Sequence, residues 1–350
     1  MAFYPTKELI DQVFGVAVPK PLEKDHARND GLEAECLNSG TYIDPATFFP
    51  RLEGEDGRSP IGIFNSHKPE NWSKKAKNGQ KTSKNTTIKT GFPELDSLLG
   101  ELKDDSLTLI AGLPGVGKTS LALNIAEHAA ADGNAPVGFF SLDIDREELL
   151  TRLVSARSHV TLDSIYSGFV TPPERKDLNA ALESLYNAPI YIDTGAGHSL
   201  ASIKEQILAC KDRLGLKLIV IDCMQLIDSE HNTERSLRKV SFELKALACE
   251  LSIPIIVTYQ LPQSWQSKKV VPHPTFILRQ GAAERYSADK VILIYRRGVC
   301  RECHCQIELC TCALDLDTRL VVAREDSSQG VAHLRFLSSS VHFEVPPSVD

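Results

Sequence analysis

The chain has no apolar run long enough to cross a bilayer. Its apolar runs, such as residues 218–221, fall far short of the ~20 residues a spanning helix needs. The opening stretch, MAFYPTKELIDQVFG, carries acidic and polar side chains where a secretory signal needs an apolar centre. No internal repeats are visible. Positive charge is not in excess: 39 Lys and Arg stand against 46 Asp and Glu, a net charge of −7. That balance argues against a protein that coats nucleic acid over its whole surface, and leaves room for a local basic channel. What is present is ordinary globular usage, 42% hydrophobic and 24% charged among 350 residues, which excludes full disorder, collagen and a disulfide miniprotein. The expectation is a soluble, cytoplasmic protein without a membrane partner. Its length suits two domains, or one large domain with an extension.

The nine cysteines are unevenly spread. Cys36, Cys210, Cys223 and Cys249 stand alone, and single cysteines in a cytosolic chain are mostly small core hydrophobes. Cys300, Cys303, Cys305, Cys310 and Cys312 fall together and need their own explanation.

Residues 1–67 are weakly patterned. Residues 7–18 suit one short helix, and Pro19, Pro21, Pro45, Pro50 and Pro60 break up the remainder. Residues 68–89 are polar and basic, with Lys74, Lys75, Lys77, Lys81, Lys84 and Lys89. Such a stretch buries little apolar area, so it reads as a solvated linker or as an arm that touches phosphates or a neighbouring subunit. From Thr90 onward, short β-branched runs bounded by turn residues alternate with helical periods. SLTLIAG, APVGFFSLD, APIYIDT, LKLIVIDC, IPIIVTYQ and DKVILIYRR are the strands. This alternation predicts an α/β fold with a mainly parallel sheet. The closing runs, RLVVAREDS and GVAHLRFLSSSVHFEV, lie close enough to predict an antiparallel hairpin at one edge.

Gly112, Leu113, Pro114, Gly115, Val116, Gly117, Lys118 and Thr119 spell G-x-x-x-x-G-K-[ST], with Ser120 next. A predicted strand precedes them and a helical period comes after. In that setting glycines let backbone N–H groups turn inward around phosphates, Lys118 reaches the β- and γ-phosphates, and the Thr119 hydroxyl holds Mg²⁺. The implied cofactors are ATP and Mg²⁺; the bland alternative is a Gly-rich turn. Asp222, ending the apolar strand LIVID, is the second candidate Mg²⁺ ligand, or else a strand-end cap. Asp143 and Gln260 also close strands, at the edge where ligands bind open α/β sheets. A carboxylate there can orient an attacking water, and a Gln can sense the γ-phosphate.

These segments together resemble the C-terminal motor domain of the replicative DnaB-type helicases. Residues 90–96, TGFPELD, are similar to the family's TGF-x-x-LD entry. LALNIA, PVGFFSLD, APIYIDT, GLKLIVIDCMQLI, ELKALACELSIPIIVTYQL and LRQGAAERYSADKVILIYR come next, in the family's order. The resemblance implies a RecA-like P-loop NTPase core over residues 90–346. It also implies a hexameric ring on single-stranded DNA, replication or loader proteins as partners, and ATP hydrolysed at subunit interfaces. Asp143 stands where the family has its catalytic Glu, one methylene shorter. Gln260 matches the motif-three Gln, and Arg279 and Asp289 match the LR and AD positions. In the family's A-K-x-R hairpin, whose Arg acts as a finger on the neighbour's ATP, this chain has Ala323, Arg324, Glu325 and Asp326. A carboxylate at the finger position repels a γ-phosphate, so either Arg324 takes the role or hydrolysis across the interface is weak. Pro262 and Gln263 replace the family's N-R. The loop after them offers Trp265, Lys268 and Lys269 for base stacking and phosphate contact, or is simply an exposed loop. No collar domain of the family is recognisable in residues 1–89.

The insertion at residues 299–313 reads C-x2-C-H-C-x4-C-x-C. Four thiolates at such spacing suit tetrahedral Zn²⁺. Cys300, Cys303, Cys310 and Cys312 form one quartet, with His304 or Cys305 as substitutes; free or redox-active thiols, or an iron–sulfur cluster, are the alternatives. Three functions are compatible with these features: a DNA motor, a nucleotide-dependent switch that recruits others without unwinding, or an interaction protein working through its cysteine module. The intact phosphate-loop sequence argues against the last.

Overall fold

The predicted strands are apolar on both faces, which only a sheet covered on both sides can satisfy. The computed structural model describes residues 4–5, 88–194, 199–228, 233–261, 287–295, 315–324 and 329–346. They build one ten-stranded sheet in the order β1-β4-β3-β5-β6-β2-β7-β8-β9-β10. Its centre is parallel: β4 (Ile190–Asp193), β3 (Val137–Ser141), β5 (Leu218–Asp222), β6 (Ile255–Gln260), β2 (Leu107–Gly112) and β7 (Lys290–Tyr295).

Each of these strands alternates between two cores. Along β2, Leu107, Leu109 and Ala111 face one and Ile110 the other. One face is covered by α1 (Pro93–Leu99), α2 (Lys118–Glu127), α3 (Arg146–Ser158), α4 (Leu162–Ser167) and α5 (Pro172–Asn187). The opposite face is covered by α6 (Leu200–Leu214) and α7 (Glu234–Leu251). Thr171 caps α5 in a reciprocal box with Glu174, satisfying donors that the helix leaves open. Gly215, left-handed at φ 66°, closes α6.

The expected antiparallel hairpin is present. β8 (Asp315–Arg324) pairs with β7 and with β9 (Gln329–Leu337), and the short β10 (His342–Glu344) pairs with β9. The sequence did not predict a strand at the other edge, where β1 (Tyr4–Pro5) runs antiparallel to β4. Two residues of the weakly patterned extension thus join the sheet. The helix expected at residues 7–18, the basic linker up to residue 87 and the cysteine-rich insertion lie outside the described residues. No helix among the described residues is long and apolar enough to cross a membrane. Cys210 is buried as expected of a lone thiol, and Cys223 is half-buried. Cys249 is exposed, because it falls on the outward side of α7, so the core-thiol expectation fails there.

Candidate nucleotide site

In parallel strands the carboxyl ends share one edge, and the register decides which residues meet there. Gly112 pairs with Gln260 on one side and Ile294 on the other, and Ser141 pairs with Asp222. The turn between β2 and α2 leaves from this edge. A Cβ on Gly112 would lie 2.7 Å from Val116 Cγ2 and 2.9 Å from the Ile294 carbonyl oxygen, so only glycine lets the loop fold back here. Gly115 and Gly117 have φ of 76° and 93°. Among the described residues nothing lies within 4 Å of the position of a Gly115 Cβ, so the loop curls around space that they leave open.

Lys118 and Thr119 open α2. The Lys118 ammonium donates to the Leu113 carbonyl at 2.9 Å, and the Thr119 hydroxyl donates to Asp222 Oδ2 at 2.8 Å. The other Asp222 oxygen accepts from the Thr258 hydroxyl of β6. Asp222 is 2% exposed. Burial pushes its carboxyl above the usual range, against the bonds from Thr258 and Thr119 and the charge of Lys118. Burial likewise lowers the Lys118 ammonium, while Asp222, Cys223 and Asp143 raise it. A cation and a carboxylate buried near each other are costly unless hydrogen bonds satisfy both, as the Leu113 carbonyl does for Lys118 and the Thr119 and Thr258 hydroxyls do for Asp222. These residues fit a nucleotide with its metal: Thr119 and Asp222 present two hard oxygens side by side, of the kind Mg²⁺ takes while keeping waters. Among the described residues no group of three or more His, Cys, Asp or Glu could hold a metal ion.

Asp143 lies two residues past β3 and is exposed. Its turn is tied to β5 by the Leu142 N–H donating to the Asp222 carbonyl at 2.6 Å. Gln260 ends β6 with an exposed side chain. Its carbonyl accepts from Gln225 Nε2 at 2.7 Å, and the Gly112 carbonyl accepts from the Leu261 N–H at 2.9 Å. Ser120 is buried in the first turn of α2, behind the loop. The fold therefore brings Gly112, Leu113, Pro114, Gly115, Val116, Gly117, Lys118, Thr119, Asp143, Asp222 and Gln260 to one edge. Sequence reasoning missed Thr258 and Gln225. A hydroxyl inside the buried run IIVTYQ was the available signal for the first.

The backbone of Arg324 lies away from this cluster. It ends β8 opposite Lys290, which pairs with Thr108, whereas the loop leaves from Gly112. Four residues of strand separate the two levels, about 13 Å. Asp289 is structural. It accepts from the Leu107 N–H at 2.7 Å and pairs with Lys245 at 2.9 Å, pinning the amino ends of β2 and β7. Arg279, Pro262, Gln263, Trp265, Lys268, Lys269, Glu325, Asp326 and the Cys300, Cys303, Cys310 and Cys312 quartet, with His304 and Cys305, lie outside the described residues.

A mainly parallel sheet with a glycine-rich phosphate loop entering a buried helix, and an acidic strand end bonded to the loop's Thr, defines a RecA-like P-loop fold. The DnaB-like helicase C terminal domain family matches residues 87–345, and the chain belongs to it. It is 34% identical over 215 residues to the replicative DNA helicase DnaB of Geobacillus stearothermophilus, covering 60% of this chain and 47% of that protein. It is 29% identical over 306 residues to the Pasteurella multocida DnaB, covering 85% and 59%. The chain thus spans about half the length of the curated relatives it matches. The fold is shared with the ATPase domain of G40P, at TM-score 0.64 and 22% identity, covering 81% of this chain and all of that one. It is also shared with a DnaB-like replicative helicase solved with attention to its primase interactions, at TM-score 0.64, 21% identity and coverages of 81% and 68%.

Proposed function

We propose that the chain is the motor of a DnaB-type helicase. It hydrolyses ATP with Mg²⁺, moves along single-stranded DNA and unwinds duplex, as a ring of copies with nucleotide at each interface. The observation that carries this reading is the Thr119–Asp222 pair at the foot of an open phosphate loop, with Lys118 buried beside it. Lys118 meets the β- and γ-phosphates, Thr119 and Asp222 hold the metal, Asp143 orients the attacking water and Gln260 senses the γ-phosphate. Mg²⁺ there neutralises charge that builds on the phosphates. The backbone of Arg324 lies at the opposite sheet edge from this chain's own loop, which supports its acting on a neighbouring copy. Replication or loader proteins are the further partners, and residues 264–274, with Trp265, Lys268 and Lys269, are the DNA-contacting segment.

Steady ATP hydrolysis that single-stranded DNA accelerates, forked-duplex unwinding, and a ring in ATP and Mg²⁺ by light scattering are expected. Lys118→Ala should lower turnover about a hundredfold or more. Tight ATP binding without turnover would replace the motor with a nucleotide-dependent switch. The Asp326 carboxylate at the finger position and the short side chain of Asp143 favour that second reading.

Cys300, Cys303, Cys310 and Cys312 hold a structural Zn²⁺ in the same proposal, with His304 or Cys305 able to replace a member. Besides the spacing, the support is that β7 and β8 are adjacent, Tyr295 opposite Arg319, so the insertion leaves and re-enters the sheet between neighbouring strands. One zinc per chain by elemental analysis is expected; its absence from protein purified under reducing conditions ends the idea.

A further inference from the structure

The residues assigned to the nucleotide come from β2, α2, β3, β5 and β6. The far C-terminal strand also reaches the loop, from behind. Gly117 caps α2 in the left-handed region. A Cβ at Gly117 would lie 3.0 and 3.1 Å from Cζ and Cε2 of Phe343, so that ring is already seated against the glycine. Phe343 is fully buried and tilted against its cross-strand partner Phe336, with ring centroids 4.6 Å apart. The Phe343 N–H donates to Asn124 Oδ1 at 2.9 Å, and Asn124 lies buried on the second turn of α2. β10 therefore grips α2 twice, through a ring at its first residue's cap and through an amide further along.

We propose that Phe343 is a positioning residue for nucleotide binding. Its ring holds Gly117 in the left-handed conformation, and with it the loop N–H groups and the start of the helix that carries Lys118 and Thr119. Asn124 fixes the strand that presents the ring. A glycine loop is free to adopt many conformations, and each one lost on binding weakens affinity unless the fold has already excluded it. Phe343 excludes them from the back, leaving the front open for phosphates. The inference rests on the nucleotide reading above, and deepens it by adding β10 to the site.

A fluorescent ATP analogue with Mg²⁺ is titrated into the full chain at a temperature where circular dichroism shows every variant folded. Phe343→Leu keeps the space apolar but withdraws the ring edge from Gly117, and is expected to weaken binding about tenfold. Asn124→Ala weakens it less. Leu334→Ala is the stability control, a cavity on the same β9 core two residues back from Phe336. It lowers the melting temperature and leaves binding unchanged. Phe343→Met substitutes if the Leu variant does not fold. The proposal is overturned if the Phe343 variants bind like the parent, or if Leu334→Ala weakens binding equally. Should the parent itself not bind, or Lys118→Ala bind unchanged, the nucleotide reading falls and takes this inference with it. Parental binding that survives in Phe343→Leu sinks only the role of β10.

Discussion

Helices α2 and α7 cover opposite faces of the same sheet and are buried in opposite ways. Nine of the ten residues of α2 are buried, among them Lys118, Asn124 and Glu127. α7 buries a stripe of Leu237, Val240, Leu244, Leu247, Ala248 and Leu251, and exposes Phe242 at 65%. The stripe is what amphipathic periodicity produces in a helix lying on a surface. α2 is enclosed by the sheet, α3 and β10, so its polar groups need partners within the protein. Asn124 meets the Phe343 amide, and Glu127 meets Arg157 of α3 at 2.8 Å. Burial still pushes the Glu127 carboxyl up to about 7. The enclosed helix carries the phosphate loop, where small displacements matter; the surface helix has an outward side free of that demand.

The contrast can be broken by mutation, and the largest effect is expected in the enclosed helix. Leu121→Ala, at a fully buried position of α2, should cost about 3 kcal/mol in urea denaturation. A loss under 1 kcal/mol would mean that the helix is not enclosed. Thr258→Val preserves shape but leaves one Asp222 oxygen without its donor. A loss of about 1–2 kcal/mol is expected, with a raised Mg²⁺ requirement for ATP binding, and unchanged Mg²⁺ dependence would remove Thr258 from the site.

His342, next to Phe343 on β10, sharpens the comparison by pH. Burial and the neighbouring His159 ring push its imidazole down from 6.5 to about 4. Above pH 6.5 both folded and unfolded chains are neutral there. Below it the unfolded chain takes up a proton that the folded chain refuses until about pH 4, so stability is lost over that window as pH falls. The stability difference between parent and His342→Leu should change between pH 6.5 and 4 and stay flat from 7 to 8; a parallel pair of profiles would contradict the burial. The smallest effect belongs to α7: Phe242→Ser should stay within about 0.5 kcal/mol, as read by melting temperature.

Much of the site was legible because its parts are local. A strand, a glycine turn and a helix start within a dozen residues spell the phosphate loop, and an Asp closing an apolar run is visible wherever the run is. The placement of Asp143 and Gln260 at the same edge came from the parallel α/β pattern, since strand ends of one sense share an edge. Thr258 left only the faint signal of a hydroxyl in a buried run and Gln225 left none, because a hydroxyl in a strand and an amide in a turn are ordinary until the register brings them to Asp222 and Gln260. Asp289 shows the reverse: it matches a family position and proves to be a clasp on the amino ends of β2 and β7. The β1 strand was missed because two residues carry no period.

The amino-acid sequence by itself determined the α/β class, the phosphate loop and the family, since each depends on spacing along a short stretch. Only the tertiary structure decided that Thr119 meets Asp222, that Arg324 ends at the edge away from its own loop, and that Phe343 backs Gly117. Those are meetings of residues distant in the chain. They are set by which strands pair and in what register, and pairing leaves no mark on any single segment.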